Sequence, residues 1–227
     1  MYKIGIISDI HSNLAALKIA LDILQQESVK EIFVCGDIVG YGKSPNECCE
    51  VFRDLDCKVV AGNHDWAVAG LTEYKDSFSG KAREGIDLTR DVIENDNLKW
   101  LQDLPVYHRE GDMEFVHSSL IAPEEWYYLT IGSVYGDSIW QDVRENFEIL
   151  KGRFCFVGHT HVPAIFLERK PGKIKPIEPN APYYDLEGHR AIIDVGSVGL
   201  PRNRSGKASL VIYDRDMDRI WFKRFKE

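Results

Sequence analysis

Ile4-Gly5-Ile6-Ile7-Ser8-Asp9-Ile10-His11 is a nearly continuous apolar run that stops on two good metal ligands. Such a run fits a strand covered on both faces. Taken alone, Asp-x-His also fits a capping aspartate beside an incidental histidine. Later strand-like runs end in the same way, at Gly36-Asp37, Gly62-Asn63-His64-Asp65, Val116-His117 and Gly158-His159-Thr160-His161. Repetition of the pattern argues for one shared site.

Working outward, Tyr2 to Ser8 reads as a strand, and Ser12 or Asn13 caps a helix with Leu14, Leu17, Leu21 and Leu24 on one face. Glu31 to Cys35 and Cys57 to Ala61 read as further strands, separated by a helix from Ser44-Pro45 to about Asp54. This alternation predicts an α/β fold with parallel strands and right-handed crossovers. Loops at the carboxyl ends of such strands share one crevice, so Asp9, His11, Asp37, Asn63 and His64 are expected to converge.

Cap-like insertions are expected at about 66–116 and 119–150 within a single domain, 1–227. The first is helical over 66–104, with Phe78, Ala82 and Ile86 on one face and a short helix at Asn95 to Leu101. Val106 to Arg109 and Met113 to Val116 flank a hairpin signal and bring the chain back to the sheet. The second holds the aromatic residues Trp126, Tyr127, Tyr128, Tyr135 and Trp140 and a helix from Gly136 to Phe147. Phe154 to Val157 is a strand. Beyond it lie β-type runs at Ala164 to Glu168, Ile174 to Ile177, Ala191 to Val195, Ala208 to Tyr213 and Ile220 to Phe225, with turn signals that suggest antiparallel hairpins.

With 227 residues, 44% hydrophobic and 28% charged, the chain can bury a full core by itself. A formal net charge of -8 argues against a dedicated binder of duplex nucleic acid, which needs a basic face. No apolar run is long enough for a membrane helix, and Met1-Tyr2-Lys3 leads into a strand rather than a signal peptide. Five cysteines without CxxC spacing fit reduced, packed thiols. The expected location is cytoplasmic.

Carboxylates, imidazoles and an amide oxygen together suit Mn²⁺, Fe²⁺ or Zn²⁺ better than Mg²⁺ or Ca²⁺. Their number points to a pair of metal ions. The ordered set Asp9-x-His11, Gly36-Asp37, Gly62-Asn63-His64-Asp65, His117 and Gly158-His159-x-His161 resembles the calcineurin-like metallophosphoesterases. Leu14 to Leu17, Gly36 to Gly42 and Gly196 to Arg202 resemble the small bacterial and archaeal phosphodiesterase-like branch. The resemblance implies a four-layer αββα sandwich. It also implies one divalent ion held by Asp9, His11 and His161, a second held by Asn63, His117 and His159, and Asp37 bridging them, with Mn²⁺ favoured. His64 would protonate the leaving oxygen or stabilise its charge. The implied reaction is hydrolysis of a small phosphomonoester or phosphodiester, nucleotide-type substrates included, by a hydroxide held between the ions. The alternative is a non-catalytic scaffold of the same fold.

Two departures narrow the match. Gly40-Tyr41 stand where the family's Ser/Thr phosphatases carry Asp-Arg, so both an Arg clamp and a carboxylate partner for the catalytic histidine are missing there. Ser12 stands where glycine is usual. A replacement clamp is sought in Gly199 to Arg204, with Arg202 and Asn13 as candidate substrate-binding residues; a solvated basic turn is the competing reading. Trp126, Tyr127 and Tyr128 either pack the cap on the sheet or stack a base. Asp65 is a candidate helix cap, and His108 and His189 are read as ordinary.

Overall fold

The computed structural model describes residues 1–130 and 138–227, without the side chains of 138–141. The expected start of a helix at Gly136 and the aromatic residues Tyr135 and Trp140 lie outside the described backbone or side chains. In chain order the first half is β1 (Lys3–Ile7), α1 (Leu14–Gln26), β2 (Glu31–Val34), α2 (Pro45–Asp54), β3 (Lys58–Val59), α3 (Asn63–Ala69), α4 (Gly80–Val92) and α5 (Asn95–Asp103). There follow β4 (Tyr107–Glu110), β5 (Met113–Val116), α6 (Ser138–Ile149), β6 (Phe154–Val157), β7 (Ala164–Lys170) and β8 (Lys173–Ile177). The chain closes with β9 (Tyr183–Asp185), β10 (Arg190–Asp194), β11 (Ala208–Asp214) and β12 (Arg219–Phe225).

The strands form two six-stranded sheets, β3-β2-β1-β11-β12-β9 and β4-β5-β6-β10-β7-β8. β1, β2 and β3 are parallel, with Ile4 opposite Glu31. β5, β6 and β10 are parallel in the second sheet. The hairpins β4-β5, β7-β8 and β11-β12 are antiparallel, as their turn signals predict.

Three hydrophobic clusters fill the spaces between four layers. Side chains alternate along β1: Ile4 and Ile6 face the second sheet, while Ile7 faces α1 and α2. Both faces are covered, which is why the strand reads as a continuous apolar run. Gly5 lies on the helix side, where an added Cβ would stand 2.6 Å from Leu24 Cδ2, so the small residue lets α1 approach. On the other side of the molecule, Val143, Phe147 and Leu150 of α6 and its C-terminus close the second sheet.

Several boundaries differ from the sequence expectation. β3 is two residues long, because Ala61 N–H turns to the Pro105 carbonyl, away from the ladder. Asn63, His64 and Asp65 form the first turn of α3 rather than a loop, because the Asp65 carboxylate caps the Gly62 N–H. Within the stretch 66–116 only the helical part stands outside the sheets, since β4 and β5 are strands of the second sheet. β9 had no separate expectation; it pairs with the edge of β12. No helix among the described residues is long and apolar enough to cross a membrane.

Phe33 of β2 and Phe115 of β5 stack across the two sheets with centroids 4.0 Å apart, each about 1% exposed. Phe115→Ala is expected to cost about 3–5 kcal/mol in urea unfolding. A loss below about 1 kcal/mol would place the main core elsewhere.

Candidate metal centre

The ligand-type side chains sit at the carboxyl ends of β1, β2, β5 and β6 and at the start of α3. Asp9, His11, Asp37, His159 and His161 all have positive φ, between 49° and 67°. Such backbone costs about 1–3 kcal/mol per residue and persists only where the surroundings hold it. Here the loops hold each other. Asp9 N–H donates to Gly36 O at 3.0 Å, His11 N–H to Asp37 O at 2.9 Å and Gly199 N–H to Asp9 O at 2.9 Å. Gly158 N–H donates to His117 O at 2.8 Å, and His159 N–H to Asp9 Oδ2 at 3.0 Å.

Asp9, His11, Asp37 and His161 place ligand atoms within 4.8 Å of one another, and Asp37, His117 and His159 do the same. Asp37 belongs to both sets. His161 Nε2 is 3.1 Å from Asp9 Oδ1, and His11 Nε2 is 3.6 Å from Asp37 Oδ2. His117 Nε2 lies 3.4 Å from Asp37 Oδ2 and 3.1 Å from Asn63 Oδ1, which brings the amide oxygen into the second set. All seven sequence-predicted ligands therefore meet, each less than one-tenth exposed.

Backbone carbonyls orient the imidazoles. Nδ1 of His11, His117 and His161 faces Val39 O at 3.2 Å, Cys35 O at 2.6 Å and Leu200 O at 2.5 Å. Donation to a carbonyl places a proton on Nδ1 and leaves Nε2 turned inward. The centre is then rich in acceptors: His11 Nε2 and His161 Nε2 face each other at 3.1 Å, and Asp9 Oδ1 is buried without a partner. Buried acceptors in such number are costly without a cation, so the donor set fits divalent metal ions.

Burial pushes His11 well below the ordinary histidine value and His159 down to about 3. Burial acts upward on Asp37, but His117 and His64 outweigh it and hold the carboxyl well below the usual range. His117 is the exception, since burial pulls it down but the Asp37 carboxylate prevails and raises it to about 10. A metal ion bound there has to displace that proton.

The centre opens into a cleft of about 640 Å³ lined in part by Asp37, Asn63, His64, His159, His161 and Arg202. His64 is 4% exposed and bracketed by the rings of His11, Tyr41 and Phe78 at 4.8, 4.8 and 5.2 Å. Its Nδ1 has no partner and backs onto Gly40, so Nε2 is the nitrogen available to a ligand. Burial lowers its pKa, against the pull of Asp37. Tyr41, where the related phosphatases have arginine, thus forms one wall of the histidine's slot. Arg202 lies beside the Tyr128 hydroxyl, and the Tyr128 ring is 4.0 Å from that of His159. Trp126 packs edge-on against Trp66 and His117, at 5.4 and 5.8 Å, so it braces the wall it helps to form.

Asn13 does not join the cleft. Its Oδ1 accepts Ala16 N–H at 3.1 Å, capping α1, and its Nδ2 donates to Gly199 O and Glu227. The capping expectation holds in place of the substrate one, because both ends of the amide are already used. Asp65 does more than cap, since its Oδ1 also accepts from Ile38 and Val39 N–H at 2.9 and 3.1 Å, tying α3 to the loop after β2. Burial raises its carboxyl to about 7. Asp194, outside the ligand motifs, accepts Thr160 Oγ1–H at 2.6 Å and fixes the turn between His159 and His161. Ile192-Ile193-Asp194, an apolar strand ending on an acid like those at Asp9 and Asp37, was the signal for it.

The sequence profile of the calcineurin-like phosphoesterase superfamily domain matches residues 2–218. An uncharacterised protein of Methanocaldococcus jannaschii is 41% identical over 215 residues, covering 93% of this chain and 82% of the relative. A symmetrical bis(5'-nucleosyl)-tetraphosphatase of Methylococcus capsulatus is 30% identical over 135 residues, 56% of this chain and 44% of the relative. The crystal structure of a metallophosphoesterase from Sphaerobacter thermophilus superimposes with a TM-score of 0.83 at 35% identity, covering 99% of this chain and 88% of that one.

A Cβ at Gly40 would stand 2.5 Å from His64 Nδ1, and φ there is +88°. Gly40→Ala is therefore expected to displace His64 and cut phosphoester turnover by about tenfold or more at unchanged metal content. Undiminished turnover would show that the ring position is not critical.

Proposed function

The chain belongs to the calcineurin-like phosphoesterase superfamily, and on that footing we propose that it hydrolyses a small phosphoester at a site holding two divalent metal ions. The supporting observation is that Asp37 is shared by two buried ligand sets, while His64 belongs to neither and lines the same cleft. In this reading Asp9, His11 and His161 hold one ion, Asn63, His117 and His159 the other, and Asp37 both. The mixed imidazole and carboxylate donors favour Mn²⁺, with Fe²⁺ and Zn²⁺ as competitors. Five free cysteines fit a reducing, cytoplasmic setting.

When bound, the ions supply Lewis acidity that lowers the pKa of water and neutralises charge on the phosphoryl oxygens. The chain's own residues do the rest. Arg202, the cleft's cationic side chain other than histidine among the described residues, binds non-bridging phosphoryl oxygens through its planar fork. His64, uncharged because it is buried, donates its Nε2–H to the leaving oxygen and holds the charge that develops as the P–O bond breaks. The water oxygen becomes the new substituent on phosphorus, and the alcohol leaves. Tyr41 and Phe78 keep the imidazole in place between their rings.

A phosphodiester suits this cleft better than the nucleoside tetraphosphate in the Methylococcus relative's name. Glu73, Glu124 and Glu125 line the cleft, and a chain of phosphates would lie against them.

With Mn²⁺ and bis(p-nitrophenyl) phosphate, His64→Ala is expected to retain two ions per chain and lose about 10²–10³-fold in kcat. Unchanged kcat would remove His64 from the reaction. Absence of turnover with Mn²⁺, Fe²⁺ and Zn²⁺ in the unsubstituted protein would favour the scaffold alternative.

A further inference from the structure

The cleft is lined by residues of two chemical kinds. Candidate metal ligands and Arg202 share it with Trp126, Tyr128 and Phe78 and with Glu73, Glu124 and Glu125. No lysine lines it among the described residues. Three carboxylates near a site that must draw in a phosphate are costly unless the substrate brings a positive charge of its own, because like charges raise the barrier to entry. Aromatic faces are the other half of the same recognition chemistry, since ring quadrupoles attract poorly hydrated cations, quaternary ammonium above all.

Two independent observations mark this as a ligand cleft rather than an acidic surface. His159, 6% exposed, lines the cleft and carries a ring nitrogen, Nε2, without a hydrogen-bond partner. Trp126 is held in place by edge contacts to Trp66 and to His117, so an aromatic wall is fixed directly beside the candidate metal ligands. Glu124 and Glu125 occupy the short 3-10 turn Pro123–Glu125 that immediately precedes Trp126, which places acid and ring on one segment. Glu73, in the connection between α3 and α4, adds a further carboxylate to the same cleft.

We propose that these rings and carboxylates form a subsite for a quaternary ammonium group, so that the substrate is a phosphodiester with one ester arm of choline type. This rests on the phosphoesterase reading above. The phosphoryl group lies at the metal-ligand cluster with Arg202 on its oxygens, and the ammonium lies among the aromatic rings and the carboxylates. Hydrolysis breaks the P–O bond of one arm, water supplies the new oxygen, and the alcohol takes the proton.

Two substrates with the same p-nitrophenol leaving group separate charge from shape: p-nitrophenylphosphorylcholine and its neutral carbon isostere, p-nitrophenyl 3,3-dimethylbutyl phosphate. With Mn²⁺-loaded protein, kcat/KM for the choline ester is expected to exceed that for the isostere by about tenfold. The triple variant Glu73→Gln, Glu124→Gln, Glu125→Gln is expected to bring the ratio close to one. Calorimetric binding of phosphocholine against 3,3-dimethylbutyl phosphate reads the same preference without turnover. A ratio near one in the unsubstituted protein, or a ratio the triple variant does not move, overturns the subsite. Choline-selective binding without turnover of either ester would sink the phosphoesterase reading and leave the subsite standing.

Discussion

Asp37 sits buried between two groups of inward-facing imidazoles, and most of what is unusual in this fold follows from keeping it there. A carboxylate at the meeting point of four strand ends must be neutralised by something other than water. The chain brings Asp9, His11 and His161 to one side and His117, His159 and Asn63 to the other. It then turns the Nε2 atoms of His11, His117 and His161 inward by hydrogen-bonding their Nδ1–H groups to backbone carbonyls. Left-handed backbone at five of the ligands is tolerated because the loops hydrogen-bond to one another. The two sheets serve this arrangement as a rigid mount.

The parallel strands and their ligand-bearing ends were legible in the sequence, because a strand buried on both faces is a continuous apolar run and its end is marked by the first polar residue. Asp9, Asp37, His117 and His159 all lie within three residues of such an end. What was not legible depends on contacts remote in sequence. Asn13 is consumed by Gly199 and Glu227, far along the chain, and β9 exists only because β12 offers it an edge. Asp65 and Asp194 show the same limit. Each steadies ligand loops through hydrogen bonds that appear only when the loops are stacked.

The departure from the related phosphatases at Gly40-Tyr41 acquires a physical meaning. Without a carboxylate partner, His64 is seated by ring contacts and by the absence of a side chain at Gly40, so its placement relies on shape instead of charge. Arg202 comes from the loop after β10, on a segment whose backbone N–H bonds the His161 carbonyl, and brings a guanidinium to the cleft from outside the ligand motifs. In the proposed reading, substrate selection falls to residues outside the ligand motifs. Trp126, Tyr128 and the flanking glutamates arise from the connections between sheet elements, where the family motifs carry no information.

The central claim is that seven ligands form two adjacent metal sites joined by Asp37. Titration of metal-free protein with Mn²⁺, followed by electron paramagnetic resonance, tests it most directly. The account predicts saturation at two ions per chain with the spectrum of a spin-coupled pair, and loss of that coupling in Asp37→Asn. Saturation at one ion, or two ions that remain magnetically independent in the unsubstituted protein, would contradict it.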